Sequence, residues 1–371
     1  MIILFKSYLR RLLVFSILIA SIVALTNFFV DPGGVYQKYR WNASSQTPKD
    51  FVKIIVESNF GVFRPENLFN EREIVRELAS FPQKYDCAII GSSHVKQISL
   101  LRKNKSLSSL CSSTRNLGVS GASLEDYIAI SNIILRNEFM PNKVFFGIDP
   151  WSLNFGRDKR YVQYKTEYLS MFNLINGSKN IDKDLSQNGF LSIILNLFNL
   201  EYFNRSLNML MKPNSLSEYT EAPKFEFDRG QSYPVLLPDG SLVYSSKFIQ
   251  DAANSIENLD GYNNYKIVEG SYYQDYAVDF FIKLVNHFQE NQIEVFFLLL
   301  PYHHSVIDYK DQPITETLNK VDAKISELAT ILQVNVIGSY NPYDLECQKD
   351  EFYDESHPKD SCLAKLTNKV K

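Results

Sequence analysis

The stretch Tyr85-Asp86-Cys87-Ala88-Ile89-Ile90-Gly91-Ser92-Ser93-His94 decides how the rest of the chain is read. Cys87 to Ile90 is a short apolar run that stops at a glycine, as a buried strand does when it delivers a tight turn. Two hydroxyls, Ser92 and Ser93, sit on that turn. Beyond them Val95, Ile98 and Leu101 recur three apart, which predicts a helix from His94 to about Arg102. A strand, a glycine turn and a helix carry a side chain to the C-terminal edge of a sheet, beside free helix N–H groups. That position suits a nucleophile, and Ser93 is the candidate.

Working outward, a strand–helix alternation continues on the C-terminal side. Asn116-Leu117-Gly118-Val119-Ser120-Gly121 reads as a strand end passing into a glycine-rich turn. Ser123, with Asp126 three residues on, opens a helix to about Leu135. Lys143–Ile148 is an apolar strand that stops at Asp149-Pro150. Between about 151 and 270 the composition turns to Tyr, Asn, Ser and Phe, with a helix over Phe190–Met211 and a hairpin over Tyr233–Tyr244 around Pro238-Asp239-Gly240. This stretch is an expected insertion at the C-terminal edge of the sheet. The alternation then resumes with a helix over Asp275–Gln289, a strand over Ile293–Leu300, a helix over Thr315–Leu332 and a strand over Val334–Ile337. The expected class is α/β, a parallel sheet covered on both faces. Residues 31–80 form a lead-in segment with one short helix over Phe69–Phe81, and 81–371 form the main domain.

The 371 residues carry 39 Lys and Arg against 42 Asp and Glu, so the net charge of −3 does not point to nucleic acid. Residues 12–30 contain no charge and span about 28 Å as a helix, roughly the hydrocarbon thickness of a bilayer. Lys6, Arg10 and Arg11 precede them, so residues 1–11 are expected in the cytoplasm and the body outside. An uncleaved anchor is the expectation, and a cleaved signal peptide is the competing reading. An exported body permits disulfides. Cys347 and Cys362 are the first candidate pair and Cys87 and Cys111 the second, against the alternative of free buried thiols.

Acyl transfer through serine needs a base for the hydroxyl, a carboxylate to hold that base, and N–H donors for the oxyanion. Ser93 is the candidate nucleophile, His357 the base, and Asp354, three residues before it, the orienting carboxylate. The candidate oxyanion donors are the backbone N–H groups of Ser93 and Gly118, the glycine leaving room for a substrate. Taken singly, a Gly-Ser-Ser turn is also an ordinary helix cap, and Asp-x-x-His also an ordinary surface turn. Asp149, Trp151, His303 and His304 are candidate substrate-side residues. Trp151 and the tyrosines 161, 164 and 168 could stack on sugars or be core. His303 and His304, with Asp308, could instead hold a metal. His94 is expected to point away from Ser93, as a capping or surface residue.

The order of these blocks resembles the SGNH/GDSL hydrolase superfamily, over roughly Tyr85–Ile148 and Glu294–Pro358. Gly91-Ser92-Ser93 matches its Gly-Asp-Ser block with Ser in place of Asp, Asn116-Leu117-Gly118 its second-block glycine, and Asp354-Glu355-Ser356-His357 its last block. The chain most looks like membrane-anchored extracytoplasmic members linked to envelope polysaccharide O-acylation, such as the alginate O-acetylation proteins and the teichoic acid D-alanyl transfer protein. The resemblance implies a three-layer SGNH-like (flavodoxin-like) domain and a serine acyltransferase or esterase. It further implies an envelope glycan as acceptor, an integral membrane acyltransferase as acyl supplier, and no cofactor. The third block departs, with Gly147-Ile148-Asp149 where the superfamily has Gly-x-Asn and its Asn donates to the oxyanion. An ionised carboxylate repels an oxyanion, so Asp149 must do something else, such as binding a cation or capping a helix. The alternative is a non-catalytic anchored scaffold that keeps the fold.

Overall fold

The structure, a computed structural model, describes residues 2–30, 47–64, 69–177, 197–211, 233–255, 273–308 and 313–370. The strands are β1 Val62–Phe63, β2 Cys87–Ile90, β3 Thr114–Asn116, β4 Lys143–Gly147, β5 Val235–Leu236, β6 Leu242–Val243, β7 Glu294–Leu299 and β8 Asn335–Gly338. Five of them form a parallel sheet in the order β3-β2-β4-β7-β8. Ile89 pairs with Phe145, and Gly147 with Leu298. From β2 the chain steps outward to β3, then returns past β2 to β4 and continues to β7 and β8. The direction reverses between β2 and β4, and in open parallel sheets the crevice outside the strand C-termini at that point is the usual ligand site. Ser93 follows β2 and Asp149 follows β4.

Alternation along the strands divides the apolar residues between two cores. Ala88, Ile90, Val144, Phe146, Phe297, Leu299 and Val336 pack with the helices Glu71–Ser80, Leu124–Leu135, Asp275–Glu290 and Pro313–Leu332. Cys87, Ile89, Phe145, Phe296, Leu298 and Ile337 belong to a second core, closed by residues from 95–111 and 345–366. Short turns cover this second face where long helices cover the first. Both disulfides, Cys87–Cys111 and Cys347–Cys362, lie in the second core. They staple segments too short to be held by helix packing alone.

Most elements read from sequence recur closely, but the lead-in segment carries a second helix, Pro48–Glu57, opened by a Thr47–Asp50 capping box, besides the expected one at Glu71–Ser80. Leu124–Leu135 starts at Ser123, with Asp126 completing a capping box. The helix after Ser93 also differs. It is a single 3-10 turn, Ser93–Gln97. The Ser99 hydroxyl accepts the Leu101 N–H at 3.0 Å and donates to Asp239 at 2.5 Å, so the chain leaves the helical path there.

The insertion meets both the sheet and the lead-in segment. Its hairpin, β5–β6, pairs with β1 in a small antiparallel sheet ordered β1-β5-β6. The hairpin tip is pinned beside β3. The Asn116 N–H donates to the Asp239 carbonyl at 2.7 Å, and Thr114 Oγ1 donates to the Asp239 carboxylate at 3.1 Å. At the tip Gly240 adopts φ +86°, and a Cβ there would lie 2.5 Å from the Asn116 carbonyl oxygen. Of the helix expected over Phe190–Met211, Leu200–Met211 is helical, and residues 190–196 lie outside the described residues. At the N-terminus, one helix, Ile2–Val30, carries an apolar stretch from Lys6 to Val30 long enough to cross a membrane.

Candidate active site

The turn that bears Ser93 is seated on the sheet edge by one side chain. Val95 fits among three strand-end glycines. A Cβ on Gly91 or on Gly118 would come within 2.6 Å of a Val95 methyl, and one on Gly147 would overlap Val95 as well. The glycines closing β2, the loop after β3, and β4 thus make a socket for Val95. A buried polar network holds the same turn from the side. Lys96 Nζ pairs with Glu71 and donates to Ser120 Oγ at 2.7 Å, while the Ser120 N–H donates to Glu71 at 2.7 Å.

Ser93, half-buried, comes within hydrogen-bond reach of His357 from the far end of the chain, Oγ to Nε2 being 2.9 Å. The other ring nitrogen, Nδ1, lies 2.7 and 2.8 Å from the two Asp354 oxygens. The turn Asp354–His357 makes this geometry local. Asp354 Oδ1 accepts the backbone N–H of Ser356 at 2.8 Å and of His357 at 2.7 Å. Burial alone would raise the Asp354 carboxyl. The charge and hydrogen bond of His357 and the two N–H donors outweigh it and hold the carboxyl at about 2. Asp354 is therefore ionised at neutral pH and fixes His357 with Nε2 free to take a proton from Ser93.

The oxyanion expectation holds in part. The Ser93 N–H has no acceptor among the described residues. The Gly118 N–H does: it donates to Asn116 Oδ1 at 3.0 Å. A Cβ at Gly118 would also lie 3.0 Å from the Ser92 carbonyl. Gly118 is a packing glycine for Val95 and Ser92, and its N–H is not at hand for a substrate.

His94 departs most from the expectation. A 3-10 turn advances the side chain more per residue than an α-helix does, and His94 is turned inward and buried. Its Nδ1 lies 2.7 Å from Asp149 Oδ1, with both side chains buried. Its ring stands edge to face with His357 at 5.1 Å between centroids, with Tyr302 at 5.5 Å and with Trp151 at 5.6 Å. Burial pushes the His94 imidazole down, but Asp149 beside it, with Asp354 and Glu355 further off, lifts it above the ordinary histidine value. The Nδ1–Asp149 approach is short but not aligned as a hydrogen bond, and Asp149 Oδ2 is buried without one among the described residues.

The other candidates separate. Asp149 faces His94. Trp151 is buried, donates its indole N–H to the Ala122 carbonyl at 3.0 Å, and backs His94 instead of presenting a face to a sugar. Tyr164 is fully buried core. His303 Nδ1 lies 2.6 Å from Ser305 Oγ, and the His304 ring packs on Tyr343 at 4.8 Å. Neither contacts Ser93 or His357 among the described residues. No three His, Cys, Asp or Glu residues are grouped to hold a metal among the described residues.

Two aromatic residues escaped the sequence reading. Tyr244 and Phe248, from the end of the hairpin and the helix Ser246–Ser255, stack at 4.1 Å and stand edge-on to His357 at 5.8 and 5.9 Å. Tyr244 OH donates to the Ser93 carbonyl at 3.4 Å. The insertion thereby walls the triad. Their spacing of four after a hairpin was the available signal. No protein-family model and no curated protein sequence matches the chain.

Proposed function

We propose that the protein is an extracytoplasmic serine acyltransferase or esterase acting on O-acyl groups of a cell-envelope polysaccharide. The single observation that carries this reading is Ser93 Oγ at 2.9 Å from His357 Nε2, with Asp354 at 2.7 Å on Nδ1. Ser93 attacks the acyl carbonyl as its proton passes to His357. His357 returns that proton to the leaving oxygen, and an acyl-Ser93 ester remains. In the second half, His357 takes a proton from the acceptor hydroxyl, which attacks the ester and frees Ser93. The tetrahedral oxyanion meets the Ser93 N–H. His94, charged against Asp149 and carrying Nε2–H, supplies the second donor that Gly118 does not.

The resemblance to the SGNH/GDSL superfamily, with its three-layer fold, belongs to this proposal and is supported by the parallel sheet and by the order of the site segments along it. The N-terminal apolar helix and two disulfides support a body held outside a membrane, with the N-terminus in the cytoplasm. Transfer to a sugar hydroxyl in place of water needs a site that sheds water, and the Tyr244–Phe248 wall supports that. The acyl supplier would be an integral membrane acyltransferase. The scaffold alternative predicts no convergence of Ser93, His357 and Asp354, and no observation favours it.

The test is acylation. The protein incubated with an activated acetyl ester is expected to gain one acetyl group on Ser93, read by intact mass and peptide mapping. Ser93→Ala should lose the adduct. Hydrolysis that persists in Ser93→Ala at the parent rate would overturn the reading.

A further inference from the structure

The N-terminal helix does more than trail from the body. Its last three turns bury one face, Val23 and Asn27, against the helix Leu200–Met211 of the insertion. Asn27 is fully buried and fully engaged: its amide donates to the carbonyls of Leu197 at 2.9 Å and Asn199 at 3.2 Å, and its Oδ1 accepts from Ser206 Oγ at 3.1 Å. Asn199 caps the insertion helix, taking the Tyr202 N–H on Oδ1 at 3.1 Å. A buried amide bonded to the lead-in of that helix and to Ser206 within it fixes where the helix sits along the apolar one.

That partner helix has an unusual distribution of residues. Tyr202 and Ser206, four apart, are buried on the anchor side. Leu200, Phe203, Leu207, Leu210 and Met211 recur three or four apart on a second face, as on one side of a helix. Its two ends point outward, Leu200 being 68% exposed and Met211 71% exposed with Leu210 exposed beside it; Phe203 and Leu207 are half-buried, and Phe198 just before the helix is exposed too. A helix of a water-soluble body turns such a face into the core. Here it stays open, and on the N-terminal helix Leu25 and Phe29 are exposed too. In the sequence Glu201, Asn204, Arg205 and Asn208 repeat at helical spacing on the remaining arc.

We propose that Leu200–Met211 is an interfacial helix, lying in the outer water–lipid boundary of a phospholipid bilayer with its leucine and methionine face among the acyl chains. Asn27 lies three residues inside Val30, about 4.5 Å from the end of the apolar run. An amphipathic helix at the headgroup boundary sinks about 5–10 Å, so the depth set by Asn27 is the depth such a helix takes. The bilayer is the occupant because Asn27 fixes the helix to the last turns of an apolar helix that is long enough to cross one and whose own large side chains are exposed. Tyr244 and Phe248, which stand against His357, belong to the same insertion. The proposal rests on residues 12–30 spanning a bilayer, and it does not depend on the chemistry at Ser93.

The experiment is depth-dependent quenching with the full chain in phosphatidylcholine vesicles. Single tryptophans replace Leu200 and Leu210 (Leu200→Trp, Leu210→Trp), with the signal of the parent chain subtracted. Phe15→Trp reports the anchor, and Ile331→Trp reports an exposed site on the body. Leu200→Trp and Leu210→Trp are expected to emit at shorter wavelength than Ile331→Trp and to lose emission when the lipid chains are brominated near the headgroup. Quenching of Phe15→Trp alone, with both helix sites behaving as Ile331→Trp, would overturn the interfacial helix and leave the anchor standing. Unquenched Phe15→Trp would remove the anchor and the proposal with it. Blue-shifted but unquenched emission at Leu200→Trp and Leu210→Trp would mean that protein, a second copy or a membrane partner, covers the face in place of lipid.

Discussion

His94 and His357 stand edge to face, 5.1 Å apart between ring centroids, and each is held on its Nδ1 side by its own carboxylate, Asp149 and Asp354. Two histidines this close in a buried site would ordinarily suppress each other's charge. Separate counter-ions remove that conflict. His357 has Ser93 on Nε2, and Asp149 offsets positive charge on His94. On the proposed reading, His357 is the base and His94 a donor.

Asp354→Asn tests the first pair. An amide can hold His357 in the wrong tautomer, so the rate of acyl transfer should fall about 10⁴-fold while the fold persists. Asp354 also bears on acid stability. Its carboxyl is depressed to about 2 from a model-compound value of 3.8. A carboxyl depressed in the folded state contributes stability that is full above its unfolded value and is lost as pH falls through the folded one. Parent protein should lose stability between about pH 4 and pH 2, and Asp354→Asn should lose less there, measured by denaturant titration across that range.

His94→Gln tests the second pair. Loss of one oxyanion donor costs about 10²–10³ in kcat, with KM little changed. Above its raised pKa, His94 would keep its Nδ1 proton toward Asp149 and turn Nε2 from a donor into an acceptor. Activity of the parent should therefore fall on the alkaline side, above the ordinary histidine range, and that limb should vanish in His94→Gln. The groups facing His94 are Asp149, His357, Tyr302 and Trp151, with Asp354 and Glu355 further off. A pH–rate profile identical in parent and variant would exclude the donor role.

Lys96→Ala tests the network beside the nucleophile turn. Glu71 would keep only the more distant Arg64, at 3.5 Å, and the Ser120 N–H, so the loss should fall short of about 3–5 kcal/mol, the cost of an uncompensated buried charge. The double variant Glu71→Gln/Lys96→Met should recover most of that loss, as read by denaturant unfolding. A double variant as unstable as Lys96→Ala would show that the lysine stem, and not the ion pair, supports the turn.

Gly147→Ala tests the socket for Val95. The added methyl overlaps Val95, and overpacking of this kind costs about 1–3 kcal/mol. Displacing Val95 also shifts Ser93, two residues earlier, so turnover should fall with stability. Adding Val95→Ala makes room, and the two changes should be less than additive in a double-mutant cycle.

Local signals carried much of this protein into view. An apolar run ending at Gly91, a capping box at Ser123, a strand ending at Asp149 and an Asp-x-x-His turn are patterns within a few residues, where backbone sterics and capping leave few alternatives. They pointed to the order of strands and helices along the chain and to Ser93, His357 and Asp354 as candidates, and the uncharged run over 12–30 pointed to the N-terminal apolar helix; the cysteines offered candidate pairs, with free thiols as the alternative. The tertiary structure alone decided what each group meets. It turned His94 inward onto Asp149, because Ser99 ends the helical path and Val95 docks among glycines from three separate segments. It committed the Gly118 N–H to Asn116, brought Tyr244 and Phe248 over His357, and laid the insertion helix on Asn27. These contacts join residues distant along the chain, and a local spacing such as that of Tyr244 and Phe248 does not say which distant residue it meets.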